Sequence, residues 1–136
     1  MFYLISSEQF EINIMQRQTR QRALLEEILT TSPQALSAQE LFELAKERCP
    51  GLGLATIYRT INTWVENGEV KAIHLPNSAT KYEAVQKGYR HYFQCENCAK
   101  TFGLSTCSGN FSKMLPEGFI LKAHEVILYG LCSSCA

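Results

Sequence analysis

The sequence has no apolar run near the ~20 residues that a membrane-spanning helix requires. It also has no excess of either charge, because 13 lysine and arginine residues balance 13 aspartate and glutamate residues. A nucleic-acid partner would therefore have to meet a local basic patch. The N-terminus has neither the basic flank nor the length of apolar block that a signal peptide needs. These absences predict a cytoplasmic protein, and in that reducing compartment the six cysteines are not expected to form structural disulfides.

Residues 1–14 show no clear hydrophobic period, whereas Met15 opens the amphipathic stretch MQRQTRQRALLEEIL. One hypothesis is that Met15 is the natural start and that residues 1–14 are a non-native product of a misassigned start codon. The alternative is a genuine but poorly ordered extension. Mass spectrometry of the native protein would separate the two.

Residues 15–86 are predicted to form three helices and a β-hairpin. Apolar residues recur at helical spacing in RALLEEILTT and GLATIYRTINTWVENG. Between these stretches, Ser37 and Glu40 form a capping box for a second helix that ends at Pro50-Gly51. VKAI and KYEA flank a Pro-Asn-Ser turn and predict the hairpin. The predicted inward residues are Leu41, Phe42, Leu44 and Ala45 on the second helix, and Ile57, Ile61, Trp64 and Val65 on the third. This order is the layout of a winged helix, a variant of the helix-turn-helix.

The outward face near the start of the third helix carries candidate DNA contacts. Small residues there allow close approach to base edges, while Tyr58 and Arg59 can reach bases and phosphates. Arginines that cluster before the predicted first helix are placed to contact phosphates or a minor groove. The candidate DNA-binding residues are Arg17, Arg20, Arg22, Ala55, Thr56, Tyr58 and Arg59. An ordinary solvated face is the alternative, and it is favoured for Thr60 and Asn62.

Residues 87–136 are predicted to form a second, strand-rich unit. HYFQC, KTFGL and FILKAHEVILYGL alternate in the manner of strands. One short helix is predicted through Phe111, Met114 and Leu115. A unit of this size is too small to be stabilised by an apolar core alone.

Two Cys-x-x-Cys pairs supply the missing stabilisation. Cys95 and Cys98 form the first pair, and Cys132 and Cys135 form the second. Four thiolates in two pairs predict a closed tetrahedral site for structural zinc. A redox Cys-x-x-Cys is the alternative, but that motif usually opens a helix beside a βαβ unit, and neither is predicted here.

These features together resemble the ferric uptake regulator family of bacterial metal-dependent repressors. The motifs are GLATIYRTINTWVENGEV, YE, CENCAK and HEVILYGLCSSC, which stand in the sequence at residues 53–70, 82–83, 95–100 and 124–135. The resemblance implies an α+β chain, with an N-terminal winged helix-turn-helix domain and a small C-terminal α/β dimerisation domain that holds the four-cysteine zinc site. It also implies a hinge near residues 85–90 and a homodimer on a palindromic operator, with a regulatory metal adjusting the angle between the DNA-binding domains. Tyr58 and Arg59 would be base and phosphate contacts, and Arg17 a minor-groove contact.

The stretch before the first cysteine pair departs from the family pattern. Family members normally have a histidine-rich run there, whereas KGYRHYFQC keeps only His91, with Tyr89, Arg90 and Tyr92 at positions where ligands often stand. The usual acidic residue further on is replaced by FGL at 102–104. The candidates for a rearranged regulatory metal site are His74, Glu83, His91, Cys107 and His124, a mixed set suited to zinc. Cys107 and the compact GLCSSC terminus favour the zinc-sensing branch.

The function predicted from the sequence is a metal-responsive DNA-binding repressor of metal-homeostasis genes, with zinc the favoured effector. One alternative is a regulator that has lost its sensing site or that responds to iron, manganese or peroxide. Another is a winged-helix and zinc-ribbon adaptor that binds protein, because fold does not determine function. An enzyme is not predicted, because no nucleophile–base–orienter motif is evident.

Overall fold

The structure, a computed structural model, describes residues 6–88, 91–107 and 109–136. Three α-helices and six strands lie in these residues, with single 3-10 turns at Val85–Lys87 and Phe111–Met114. The helices are α1 (Ser7–Thr31), α2 (Ala38–Ala45) and α3 (Leu54–Glu66). The strands are β1 (Gln34–Ala35), β2 (Val70–Ile73), β3 (Lys81–Ala84), β4 (His91–Cys95), β5 (Thr101–Leu104) and β6 (Ile127–Gly130). None of the helices in the described ranges is long and apolar enough to cross a membrane.

The helical core confirms most of the predicted inward faces. Leu25, Leu41, Ile57 and Ile61 are fully buried where α1, α2 and α3 meet. Phe42, Trp64 and Val65 are partly buried against this core. The prediction for Leu44 was wrong, since its side chain is 50% exposed. The face of α2 that meets the core runs through Ala38, Leu41 and Ala45. Leu44 lies at the side of this face, where the helix turns towards solvent.

The first helix is longer than predicted. It begins at Ser7, after Ser6, whose Oγ accepts a hydrogen bond from the Gln9 N–H at 3.2 Å. No glycine or proline interrupts it before Thr31, so nothing in the chain breaks the helix earlier. Arg17, Arg20 and Arg22 therefore lie within α1 rather than before the first helix, which corrects the sequence prediction. Of the proposed non-native residues, 6–14 are exposed and helical from Ser7 onward, and 1–5 lie outside the described residues.

The capping box and the hairpin predicted for this half are confirmed, but the prediction that the second helix ends at Pro50-Gly51 was wrong, since α2 ends at Ala45. The capping box holds α2, since the Ser37 N–H donates to Glu40 Oε1 and the Glu40 N–H donates to Ser37 Oγ, each at 3.1 Å. The hairpin forms from β2 and β3 in antiparallel register, with Val70 opposite Ala84. Lys81 on β3 is buried, and its ammonium donates to the Glu40 carboxylate. This ion pair joins the hairpin to the start of α2.

The C-terminal sheet has the order β1-β5-β4-β6. β4 pairs antiparallel with β5 and parallel with β6. The predicted strand in FILKAHEVILYGL is confirmed only over its last part, Ile127–Gly130. Just before it, the Val126 N–H donates to the imidazole of His91 rather than to a backbone carbonyl. The predicted short helix is a 3-10 turn that ends at Met114, with Leu115 already extended.

Strand β1 connects the two halves of the chain. It lies between α1 and α2, but it pairs with β5, with Gln34 opposite Phe102. The next residue, Leu36, exchanges two backbone hydrogen bonds with Tyr82 of the hairpin, at 2.7 and 3.0 Å. Both the hairpin and the C-terminal sheet are thus anchored to one short segment. The division into domains at residue 86 remains a prediction.

Candidate metal centres and DNA-binding face

The four cysteines of the two pairs come together at one end of the C-terminal sheet. Cys95 is the last residue of β4, and Cys132 and Cys135 follow β6. Because β4 and β6 are parallel neighbours, with Cys95 opposite Gly130, their carboxyl ends meet at the same edge. The four sulfurs all lie within 4.8 Å of one another. We refer to these residues, Cys95, Cys98, Cys132 and Cys135, as the cysteine quartet.

Backbone groups prepare the quartet for a cation. N–H groups of Cys98 and Cys132 point at the sulfur of Cys95 and lower the pKa of its thiol to about 6. The Cys132 N–H lies 3.4 Å from that sulfur, and the side chain of Asn97 donates to the sulfur of Cys135 at 3.3 Å. Thiolates that receive N–H groups and face one another repel unless a cation lies between them. The donor set and its geometry fit a structural zinc ion.

A second cluster forms from three segments that are distant in sequence. His91 begins β4, Cys107 lies in the loop after β5, and His124 precedes β6. Their ligand atoms lie within 4.8 Å of one another, and Cys107 Sγ is 3.4 Å from His124 Nε2. The ring of His124 stacks on that of His91 with centroids 5.1 Å apart, and Phe111 packs against His124 at 4.7 Å. We refer to His91, Cys107 and His124 as the trio.

His91 carries the clearest sign that the trio is built for a ligand. Its side chain is 4% exposed. The Val126 N–H donates to Nδ1 at 3.1 Å, so the neutral ring carries its hydrogen on Nε2. That Nε2 is buried and has no hydrogen-bond partner among the described residues. Buried polar atoms are rarely left unpaired, and a metal ion could bind this atom once its hydrogen has moved to Nδ1. Two imidazoles and one thiolate are a set that fits zinc.

Ligation at Nε2 would have a consequence for the neighbouring strand. A neutral imidazole that binds through Nε2 keeps its one hydrogen on Nδ1. Nδ1 would then present a hydrogen to the Val126 N–H, and two donors cannot share a hydrogen bond. The contact between His91 and Val126 would therefore open, directly before β6.

The other two candidate ligands lie outside the trio. His74 follows the end of β2, is exposed, and has its Nδ1 3.2 Å from Thr80 Oγ1. Glu83 is 1% exposed, and its Oε1 accepts a hydrogen bond from the Tyr92 hydroxyl at 3.4 Å. Of the tyrosines and arginine at family ligand positions, Tyr92 is thus engaged with Glu83. Tyr89 and Arg90 lie outside the described residues.

Glu83 sits in a network of charged side chains. Burial raises the pKa of its carboxyl, and the ammonium of Lys71, 3.9 Å away, counteracts part of that effect. Lys71 also lies over the ring of Tyr92, 5.6 Å from the centroid. Lys87, whose pKa is lowered by burial, donates to the carbonyl of Ser32. These lysines carry no motif, so only their position in the fold reveals their role.

The candidate DNA-binding residues lie in two groups. One group lies on α3 and in the groove between α1 and α3, and the other lies beside the loop that joins α2 to α3. Ala55, Tyr58 and Arg59 are exposed on α3, and Arg59 donates to Thr56 Oγ1 at 3.2 Å. Arg22 lines a groove with Thr56 and Arg59, between α1 and α3. Arg17 and Arg20 line a different groove, beside the loop that joins α2 to α3, where Arg17 donates to the carbonyl of Gly51 at 3.4 Å. Arg22 and Arg59 therefore form the basic pair nearest to the exposed start of α3.

Comparison of the sequence with known proteins points to one protein family. A sequence model described as "Ferric uptake regulator family" matches residues 14–129. The zinc uptake regulation protein of Mycobacterium tuberculosis is 29% identical over 122 residues, which span 88% of this chain and 94% of that protein. The ferric uptake regulation protein of Campylobacter jejuni is 31% identical over 122 residues, spanning 86% of this chain and 78% of that protein.

A solved structure described as a zinc-bound manganese uptake regulator superposes with a TM-score of 0.70. The match covers 82% of this chain and 87% of that chain at 20% sequence identity. At this identity the superposition concerns the fold alone, which it supports over both halves of the chain.

Proposed function

This chain belongs to the ferric uptake regulator family, and from that premise we propose that it is a zinc-responsive DNA-binding repressor of metal-homeostasis genes. The observation that carries the choice of metal is the convergence of His91, Cys107 and His124. Two nitrogens and one sulfur favour zinc over the harder ions manganese and magnesium. The proposal places the protein in the cytoplasm and assigns it no catalytic residue.

The two clusters have separate tasks in this proposal. The cysteine quartet holds a structural zinc that ties the chain after β4 to the chain after β6, and that is closed to further ligands. The trio holds the regulatory zinc. The trio joins the start of β4 to the loops around Cys107 and His124. In this proposal its occupancy changes with the free zinc concentration.

DNA is contacted through the start of α3. Tyr58 and Arg59 read bases and phosphates, Ala55 and Thr56 allow close approach, and Arg22 adds a phosphate contact from α1. Arg17 and Arg20 reach the backbone or minor groove beside the α2–α3 loop. A homodimer presents two such faces to a palindromic operator, as two-fold symmetric DNA-binding proteins do.

The first test is fluorescence anisotropy of the full-length protein on DNA from its own upstream region, titrated with buffered free zinc while the cysteine quartet stays filled. Zinc is expected to raise the affinity at least ~10-fold, which is about 1.4 kcal/mol of coupling. Cys107→Ser and His91→Ala are each expected to remove this dependence. Cys49→Ser is the matched control, because Cys49 packs against the helical core and belongs to neither cluster.

Three results would contradict the proposal in different ways. Tight binding that does not change with zinc would mean that the sensing site has been lost, which the engagement of Glu83 with Tyr92 and Lys71 would then explain. An unchanged zinc response in Cys107→Ser would mean that zinc is sensed outside the trio. Binding that is insensitive to salt and sequence would favour a protein-binding adaptor.

A further inference from the structure

We propose that Phe111, packed on Gly109, is a positioning residue for the regulatory zinc. It holds the ring of His124 in the orientation that binds the metal, and so sets the zinc concentration at which the trio fills. This inference rests on the proposed function, because it assumes that the trio binds zinc. Phe111 has no ligand atom of its own, so its effect on zinc has to pass through His124 and Cys107.

Packing rather than hydrogen bonding orients the ring of His124. The side chain is exposed and lies before β6, outside any helix or strand. Metal-binding histidines usually donate their second ring N–H to a carboxylate or a carbonyl, which fixes the ring. Within the described ranges, the ring of His124 has one hydrogen-bonding contact, between Nε2 and Cys107 Sγ, and Nδ1 has no partner. Without such a partner an exposed imidazole samples several rotamers unless other side chains restrict it.

Two rings contact this imidazole. His91 stacks on it with centroids 5.1 Å apart, and Phe111 packs at 4.7 Å with the ring planes 48° apart. Both separations lie in the range that aromatic pairs favour. His91 is buried at the start of β4 and offers a fixed surface, whereas Phe111 approaches from the 3-10 turn. Together they restrict the ring to the orientation in which Nε2 lies 3.4 Å from Cys107 Sγ.

Gly109 provides the space that Phe111 occupies. A β-carbon at position 109 would lie 2.4, 2.6 and 2.9 Å from three atoms of the Phe111 ring. Non-bonded carbon atoms pack at about 3.5–4.0 Å, so any side chain at this position would displace the ring. Gly109 does not have a positive φ. Its role is therefore to leave space, and not to allow an unusual backbone conformation.

One short loop delivers both the thiol and the aromatic ring to His124. Cys107 and Phe111 each stand two residues from Gly109, and both contact the same imidazole. Displacing Phe111 would release His124 and loosen the loop that carries Cys107. It would also admit water to these two exposed ligands, and the apolar shell of a metal site controls its solvent access. We therefore expect zinc to bind more weakly although all three ligands are still present.

The experiment compares Phe111→Ala and Gly109→Ala with the conservative Phe111→Tyr and with Met114→Ala. Gly109→Ala keeps Phe111 but removes its space, so it tests the inference even if Phe111→Ala folds poorly. Met114 is the matched control, because it lies in the same 3-10 turn and is 78% exposed. Full-length protein with zinc in the quartet is titrated against a chelator of known affinity, and its zinc response is followed by anisotropy on DNA.

Phe111→Ala and Gly109→Ala are each expected to weaken zinc binding to the trio by ~10–100-fold, the usual effect of losing a group that orients a metal ligand. The zinc concentration for half-maximal DNA binding should rise by the same factor. The affinity for DNA at saturating zinc should not change, because the ligands remain. Phe111→Tyr keeps the ring, so this variant and Met114→Ala should respond like the unaltered protein.

Cobalt(II) in the trio adds a readout that a loss of stability alone would not change. The thiolate-to-cobalt charge-transfer band reports ligation by Cys107, and the d–d bands report the geometry of the ligands. In Phe111→Ala and Gly109→Ala the charge-transfer band should persist at saturating cobalt, while the d–d bands should shift. Phe111→Tyr should restore the original spectrum.

The inference is overturned if Phe111→Ala and Gly109→Ala respond at the zinc concentration of the unaltered protein while Cys107→Ser does not respond, and the proposed function then stands. It is also overturned if Met114→Ala weakens zinc binding as much, or if the cobalt spectra stay unchanged, since general loosening of the turn would explain the loss. An effect of Phe111→Ala without one of Gly109→Ala would overturn the role of Gly109. If Cys107→Ser responds normally to zinc, the proposed function itself fails.

Discussion

Glu83 stands at a position where the family resemblance predicts a metal ligand, yet its buried carboxyl contacts Tyr92 and Lys71. Burial raises its pKa above the ordinary value of 4.5. A carboxyl with a raised folded-state pKa binds its proton more tightly when folded. Its contribution to stability is therefore present at low pH and is lost as the pH rises from the unfolded pKa through the folded one. Glu83→Gln is expected to remove this loss, so the variant should gain stability relative to the unaltered protein as the pH rises.

Urea unfolding at a series of pH values measures that difference. Glu43→Gln is the control, because Glu43 is exposed beside Lys46 and its pKa is lowered, which gives a pH dependence of the opposite sign. A stability difference between Glu83→Gln and the unaltered protein that stays constant across the pH range would show that Glu83 does not titrate as its burial requires.

At the scale of the element, α3 combines a buried face with an exposed one. Ile57 and Ile61 fix the helix on the core, and this orients Tyr58 and Arg59 outward. Arg59→Ala is expected to weaken binding to the operator by about 1–3 kcal/mol if it reads a base, or to lower the salt slope by about one if it contacts a phosphate. Anisotropy at several salt concentrations distinguishes these cases.

Lys113→Ala is the matched control for α3, because it also removes an exposed positive charge, but from the 3-10 turn of the C-terminal half. Equal losses for Arg59→Ala and Lys113→Ala would indicate that DNA responds to net charge alone. The face of α3 would then not be the recognition surface.

At the scale of the whole molecule, β6 is an edge strand of the C-terminal sheet. Leu128, Tyr129 and Leu131 are about half exposed on and beside it, at 49%, 49% and 53%. An apolar edge strand is a template for pairing with another chain. We expect Tyr129→Glu to shift the proposed homodimer towards monomer and to weaken binding to a palindromic site, because two half-sites are no longer held together.

Sedimentation velocity measures the shift, with Leu44→Glu as the control. Leu44 is 50% exposed but lies on α2, in the helical half. A dimer that persists in Tyr129→Glu would place the dimer contact elsewhere. A half-site that binds with unchanged affinity would show that each subunit keeps its DNA-binding fold.

Much of the fold was predictable because it depends on residues close in sequence. The Ser37–Glu40 capping box spans three positions, and the alternation of Val70, Ala72, Tyr82 and Ala84 spans a single hairpin, so pattern alone predicts both. The start of α1 was missed because residues 1–14 lack an apolar period, whereas a helix that has formed on the core can extend towards the N-terminus through residues without glycine or proline. The predicted strand before Ile127 was cut short because Val126 donates its N–H to a side chain.

The two candidate metal sites differ in the same way. Each Cys-x-x-Cys pair brings two sulfurs together by local geometry, so the sequence by itself determined the candidate ligands of the quartet, and the fold added only the meeting of the two pairs. The five candidates for the regulatory site carried no such local geometry, so the sequence did not decide which of them come together. Only the pairing of β4 with β5 and β6 decided that His91, Cys107 and His124 converge, and only burial decided that Glu83 contacts Tyr92 instead. Long-range contacts of this kind depend on how strands align, which no spacing along the chain records.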